Sequence, residues 1–366
     1  MQIDFIPLPL YTPLWYHLLL LITVIAFVVL QRYKIEERDK YRSLSSFLGW
    51  PLLLFSMIYM GLRPIGYAFG DMGNYALMYD SIRLANYMNP VSVTNDPGFS
   101  MFINFFAGQN VDPNIWFLIC AVIYIYPTYV VSKRWFGKSY WVIPFIMLLG
   151  SFSFWAFGTN GIRNGMATAL FLLGLSCKKD LWRAVWFIVA ASFHASLLLP
   201  IACYVVARVY SRPKVFFYIW LACIPLSLIG GGAFQSLFAG LLDDGRNSYL
   251  TSAADQGMFA STGFRWDFLL YSATGVVAGW YYLFKAKIKD RTYNKLLITY
   301  LLANSFWVLV IKANYSNRFA YLSWFLLALV ICYPWIKLQF TKNQSQKLSY
   351  IVAAYYLFTY GMFILA

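Results

Sequence analysis

Three short stretches, GIRN at Arg163, GFRWD at Arg265 and SNRFA at Arg318, each set a guanidinium at the threshold of a long apolar run. If those runs are helices, each arginine stands at an N-terminus, beside the positive end of the macrodipole, a placement unfavourable by about 0.3–1 kcal/mol. A bound anion reverses the balance. Uncapped backbone N–H groups and a planar, permanently charged fork together suit phosphate oxygens. The three arginines are therefore candidate phosphate ligands, and Gly158, Gly161 and Gly165 would let backbone amides approach such a ligand closely. The competing reading is a salt bridge, which Asp267 could supply to Arg265 two residues away, or contact with lipid headgroups.

A second chemistry rests on His194, in ASFHASLLLP. An imidazole with a reference pKa near 6.5 can take a proton from a hydroxyl at neutral pH. A structural histidine is the alternative, and His17, on a plain apolar run, reads as structural. The stretch 70–108 brings Asp71, Asn74, Tyr75, Asp80 and Asp96 together with many aromatics. Carboxylates beside stacked rings suit sugar hydroxyls and C–H faces, although an aromatic belt at a membrane interface has the same composition. Within it, DPGFSMFINFF reads as an amphipathic helix lying at the membrane surface after a turn. Asp243 and Asp244 in LLDDGRNSY could hold a divalent cation, but DDG reads better as an ordinary turn. The sequence contains no Walker loop, GxGxxG, HExxH or GxSxG, so nothing points to nucleotide-driven chemistry or to a metal.

The elements that must position these residues are membrane helices. The 366 residues are 61% hydrophobic, 20% aromatic and only 12% charged, with a mean hydropathy of +0.60, which excludes a soluble globular domain and leaves a polytopic all-α membrane protein. Apolar runs long enough to cross the hydrocarbon core fall at 14–30, 44–62, 115–131, 140–157, 162–177, 215–231, 268–284, 296–311, 319–336 and 348–366. That is about ten transmembrane helices in a single transmembrane domain over 1–366. The first run lacks the basic flank and small-residue cleavage site of a signal peptide and reads as a retained helix. The five cysteines show no CxxC spacing and no histidine partner, and read as packing residues.

Charge sets the orientation. Six basic clusters, at 31–42, 132–138, 178–183, 208–214, 285–295 and 337–347, hold 22 of the 29 lysines and arginines and belong on the inner side. All six can be inside only if 184–207 begins and ends there, as a re-entrant or short-helix pair turning near His194. The inner face then carries 22 basic and 5 acidic residues and the outer face 7 and 9, so the net charge of +15 reflects orientation rather than a nucleic-acid partner. The substantial loops, at 63–114 and 232–267, lie outside, as do Arg163, Arg265, Arg318 and His194. The chemistry is expected there.

The ordered set Asp71-Asn74-Tyr75, Asp96-Pro97-Gly98-Phe99, Gly161-Arg163-Asn164-Ala167, His194-Ser196, Arg265-Asp267 and Arg318 resembles bacterial polysaccharide repeat-unit polymerases of the Wzy/EpsG type. Asn164 stands where the family more often carries glutamine. The resemblance implies a GT-C-like, metal-independent membrane glycosyltransferase without cofactor or nucleotide sugar. It would polymerise undecaprenyl-pyrophosphate-linked oligosaccharide repeat units into an O-antigen or related surface polysaccharide, at the periplasmic face of the inner membrane. Its partners would be the lipid-linked donor and acceptor, membrane lipid and a chain-length regulator. Arg163, Arg265 and Arg318 would then neutralise the departing pyrophosphate, His194 would act as general base and Asp71 with Tyr75 would orient the acceptor. Asn74, Asp96, Asn164, Asp267 and Tyr315 would complete the glycan contacts, with Asp96 or Asp267 as the rival base. A flippase for lipid-linked sugars would place cations similarly, but the internal repeats common in such folds are missing from this sequence. A membrane acyltransferase would need arginines near an early histidine, and His17 has none in its helix. A purely structural assembly partner fits the outer carboxylates and arginines poorly.

Overall fold

The computed structural model describes residues 2–84, 94–239, 263–313 and 316–365, and every regular element among them is helical. Asp243, Asp244, Arg246, Asp255 and Tyr315 lie outside the described residues. The chain divides into two compact units, Met1–Leu197 with Trp335–Ala366, and Leu198–Pro334.

The first unit contains α1 (Leu8–Arg32), α2 (Arg38–Leu44), α3 (Trp50–Gly61), α4 (Met72–Leu84), α5 (Pro97–Gly108), α6 (Pro113–Tyr140), α7 (Val142–Leu149), α8 (Phe154–Thr159), α9 (Ile162–Leu175) and α10 (Asp180–Phe193). A one-turn π segment, Ser45–Gly49, joins α2 to α3. Prolines mark helix starts at α5 and α6, where their missing N–H and preset φ cost nothing, and Asp112 caps α6 by accepting the Asn114 N–H at 2.8 Å. The amphipathic helix expected of DPGFSMFINFF is α5, with Met101 and Phe105 exposed on one side and Phe99 and Ile103 buried on the other.

The second unit contains α11 (Leu198–Val209), α12 (Pro213–Ala239), α13 (Trp266–Trp280), α14 (Arg291–Leu309) and most of α15 (Ser316–Lys337). The last helix, α16 (Gln344–Leu365), returns to the first unit and packs along α1. There Gln31 donates to Ser349 at 2.7 Å, and the structural reading of His17 is seen as an Nδ1–Tyr360 hydroxyl contact of 2.9 Å. All five cysteines are free thiols.

Six helices among the described residues are long and apolar enough to cross a membrane: Leu8–Arg32, Arg38–Gly61, Pro113–Tyr140, Pro213–Gly230, Ser316–Lys337 and Gln344–Leu365. Ile162–Leu175 and Ala195–Val209 are apolar but shorter. The chain is thus a multi-pass helical membrane protein, with six such helices where about ten were expected. The 140–157 run corrects the expected single helix. It forms α7 and α8, separated by a turn at Gly150–Ser153 where the Ser151 hydroxyl donates to the Leu148 carbonyl, an interruption that averaged hydropathy conceals. The helix break expected near His194 is present, between α10 and a 3₁₀ turn over Ala195–Leu197.

Polar side chains tie the second unit together. Asn304, fully buried on α14, accepts from Trp220 Nε1 on α12 at 2.7 Å and donates to Ser272 on α13 at 3.1 Å and Ser323 on α15 at 2.9 Å. Trp324 Nε1 donates to the same Ser272 hydroxyl at 2.7 Å. Every arm of the amide is used, and each joins a different helix, a fully satisfied knot of the kind that holds helices together where lipid offers no hydrophobic drive. Asn304→Leu should lower the unfolding free energy of the purified protein by about 1–2 kcal/mol, because the Trp220 indole loses its acceptor. An unchanged thermal midpoint would refute that role.

Candidate functional site

The site of the first unit starts from a diverted helix cap. Asp96 is the N-cap of α5, at φ −98 and ψ 100, yet its carboxylate makes no bond to its own first turn. The neighbouring Thr94 hydroxyl instead accepts the Asp96 N–H at 3.2 Å and pairs with Ser100 Oγ at 3.1 Å. The carboxylate is left to bridge two distant segments. Its Oδ2 accepts from Arg163 Nη1 at 2.8 Å, and its Oδ1 accepts the Ala195 N–H at 2.9 Å.

Each partner arrives there because a helix ends. Gly161 caps α9 with no side-chain hydrogen bond, so the N–H groups of the first turn receive nothing from their own cap residue, and Arg163 sits among them. On the other side α10 stops at His194, whose extended backbone (φ −159, ψ 112) turns Ala195 towards Asp96. Close packing fixes the third element: a Cβ on Gly98 would lie 2.8 Å from Ser192 Cβ, so only glycine lets the start of α5 meet the last turn of α10. Phe102 then packs on Phe193 with centroids 5.6 Å apart.

Arg163 is held on three sides. Nη1 meets Asp96, Nε donates to the Tyr75 hydroxyl at 3.2 Å, and the guanidinium lies 5.7 Å from the Phe99 ring. Nη2 has no partner among the described residues, and the side chain is 30% exposed against 6% for Asp96. The result is an oriented cation with one open edge beside an uncapped helix start, a geometry suited to an anion. Burial pushes the Tyr75 phenol above its ordinary pKa, with the adjacent guanidinium acting in the opposite sense, so Tyr75 stays a neutral hydroxyl that can donate onward.

Asp71 opens α4. Its N–H donates to Asn160 Oδ1 at 2.8 Å, its carbonyl accepts from the Tyr75 N–H at 3.0 Å, and Asn74 reaches its carboxylate only weakly, at 3.4 Å. His194 is buried, with Nδ1 3.0 Å from Ser196 Oγ. That contact has two polarities. If Nδ1–H donates to the serine oxygen, Nε2 carries the lone pair a base requires; if the serine donates, Nε2 carries the proton and the ring is a hydrogen-bond donor. The Ser196 N–H, which can only donate, also points at Nδ1, at 3.4 Å, which favours the second arrangement in this structure.

Asp71, Asn74, Tyr75, Asp96, Arg163 and His194 therefore belong to one unit, and the first segments of α4, α5 and α9 with the end of α10 supply them. Asn164 stands next to Arg163, but its Oδ1 is sealed from solvent and meets no donor among the described residues. The sequence suggested that Gly158 and Gly165 open the backbone to a ligand, but the structure corrects this. A Cβ on Gly165 would fall 2.6 Å from the Phe157 carbonyl and one on Gly158 would strike Met60, so both serve helix packing. Asn160 went unnoticed in the sequence, where the only signal was a polar Thr-Asn-Gly step between two apolar runs.

The other two arginines belong to the second unit. Arg265 caps α13 and pairs side-on with Asp267, Nε and Nη2 donating to its two carboxylate oxygens at 2.9 and 2.6 Å, while lying 3.6 Å from the Phe268 ring centroid. The local salt bridge is thus what the structure shows there, and it holds the Asp267 carboxyl below the usual carboxylate range. Arg318 occupies the first turn of α15 and is exposed. All three arginines stand at helix starts, as their sequence settings indicated.

Asp96→Asn should destabilise the purified protein by about 1–3 kcal/mol, because the amide keeps an acceptor for Ala195 but loses the charge-assisted bond to Arg163. A variant with wild-type thermal stability would show that the bridge carries no weight. No curated protein and no solved structure matches the chain. The sequence model of the EpsG family matches residues 50–366, a span that includes every site residue described above. The chain therefore belongs to the EpsG family of polysaccharide polymerase-like membrane proteins.

Proposed function

We propose that the protein is a glycosyltransferase that polymerises undecaprenyl-pyrophosphate-linked oligosaccharide repeat units at the periplasmic face of the bacterial inner membrane. One observation carries the reading: a single carboxylate, that of Asp96, joins a half-open arginine at an uncapped helix start to the corner bearing a buried histidine. An anion site and a proton acceptor are the two groups that this transfer needs. Family membership and the multi-pass fold support the same class of reaction.

In the proposed step a sugar hydroxyl of the acceptor unit attacks the anomeric carbon of the donor glycan. The new glycosidic C–O bond forms as the bond to the lipid pyrophosphate breaks, and the hydroxyl proton passes to His194 Nε2. Negative charge grows on the departing pyrophosphate, where Arg163 Nη2 and the first-turn N–H groups of α9 would meet it. This needs the Nδ1–H tautomer, with Ser196 Oγ as its acceptor and the longer Ser196 N–H contact to Nδ1 given up; Asp71 and Tyr75 would orient the acceptor hydroxyl. Arg265 and Arg318 remain further pyrophosphate ligands in this scheme, Arg265 through the Nη1 that its side-on pair with Asp267 does not use. Asn74, Asp96, Asn164, Asp267 and Tyr315 would contact the glycan.

Purified protein given a lipid-linked repeat unit, with chelator present, should yield a ladder of products; transport without elongation would favour a flippase instead. Arg163→Ala should slow elongation by about 10²–10³-fold and leave single repeat units, with Arg163→Lys restoring only part of the rate because a point charge cannot replace the fork. Ser196→Ala should lower the rate while leaving acceptor KM unchanged if the serine sets the tautomer. A His194→Ala enzyme of near-normal rate would move the base to an aspartate.

A further inference from the structure

A second arginine in the first unit has no part in the reaction proposed above. Arg63 follows the end of α3 and is only 1% exposed. From its position at a helix C-terminus it reads as an ordinary dipole partner; Lys312, also past a helix end, stays near the surface and donates to the Leu228 carbonyl of α12 at 3.0 Å. Burial changes that reading. No carboxylate among the described residues pairs with Arg63, and its Nε is buried without an acceptor. A desolvated charge with an unsatisfied donor is a costly way to cap a helix, and a neutral amide could serve the same carbonyls.

What the guanidinium touches gives a reason for it. Nη1 donates to the Met60 carbonyl in the last turn of α3, and Nη2 donates to the Thr159 carbonyl, the last of α8, at 3.1 Å. The rings of Phe69 and Phe117 flank it, each 5.6 Å from the guanidinium carbon. Phe69 leads into Gly70, whose φ of +65 turns the chain tightly against Asn160: a Cβ there would fall 2.6 Å from Asn160 Cγ. The next N–H, that of Asp71, is the one Asn160 receives. A closed circuit results, running from Arg63 through Thr159 and Asn160 to Asp71, then back through Gly70 and Phe69. Arg163, in the first turn of α9, lies four residues after Thr159.

We propose that Arg63 is a positioning residue that locks the α8–α9 corner, through the Thr159 carbonyl and Asn160, so that Arg163 and Asp71 keep their places. Its link to turnover rests on the function proposed above; its link to the corner does not. Replacing Arg63 by Met should free the corner while filling the same apolar space, and Arg63→Lys should hold one carbonyl but not both.

The test is amide hydrogen exchange on the purified full-length protein, wild type against both variants, read together with elongation kinetics. In Arg63→Met the bonded amides of Asp71, Asn160 and Gly161 should exchange at least about 10-fold faster, with the α1 and α16 peptides unchanged and Arg63→Lys intermediate. The elongation kcat should fall in the same order while acceptor KM stays within about threefold. Unchanged exchange at Asp71, Asn160 and Gly161, or an equal rise across the whole unit, would overturn the proposal. Should the methionine variant fail to fold, the lysine variant decides by the same criterion. If the wild type does not elongate lipid-linked units, the proposed function fails, and the exchange pattern still judges Arg63.

Discussion

One carboxylate with two duties underlies the site. Asp96 could cap its own helix, as aspartate at such a position commonly does, but it meets Arg163 with one oxygen and the Ala195 N–H with the other. It lies 67 residues from the first partner and 99 from the second. Remove it and the arginine loses its orientation, while the His194 corner loses the acceptor for its first amide. Because Asp96 is nearly buried and Arg163 is not, the pair leaves charge available on one edge only. Arg265 differs in reach: it pairs side-on with a carboxylate two residues away, so its bridge is local to one helix start.

Broken helices make this arrangement possible. Irregular backbone at membrane depth is tolerated where protein or a cavity satisfies its polar groups. In the first unit the interruptions fall at Gly150–Ser153, at Asn160–Gly161 and at His194. Two of the three feed the site directly. The break at His194 frees the Ala195 N–H that Asp96 receives, and the break at Asn160–Gly161 frees the Thr159 carbonyl that Arg63 meets.

Much of this was legible in the residues because it depends on local pattern. The arginines at helix starts follow from a cation placed just ahead of an apolar run, and the break at His194 follows from the demand that basic clusters share one side. DPG announced a helix start at Asp96, but which segments its carboxylate joins depends on packing between α5, α9 and α10, which no local spacing encodes. Arg63 shows the same limit: its place after α3 was plain, whereas its burial depends on Phe69, Phe117 and Thr159 converging from other segments. The split of 140–157 escaped because four residues of turn vanish within an apolar average.

The most direct measurement is an experimental structure of the protein with a lipid-linked pyrophosphate bound. Arg163 Nη2 and the first-turn amides of α9 should then meet a phosphate oxygen at about 2.7–3.1 Å while Nη1 still rests on Asp96. Pyrophosphate lodged away from Arg163, or bound only after the Asp96 bridge has opened, would contradict the account.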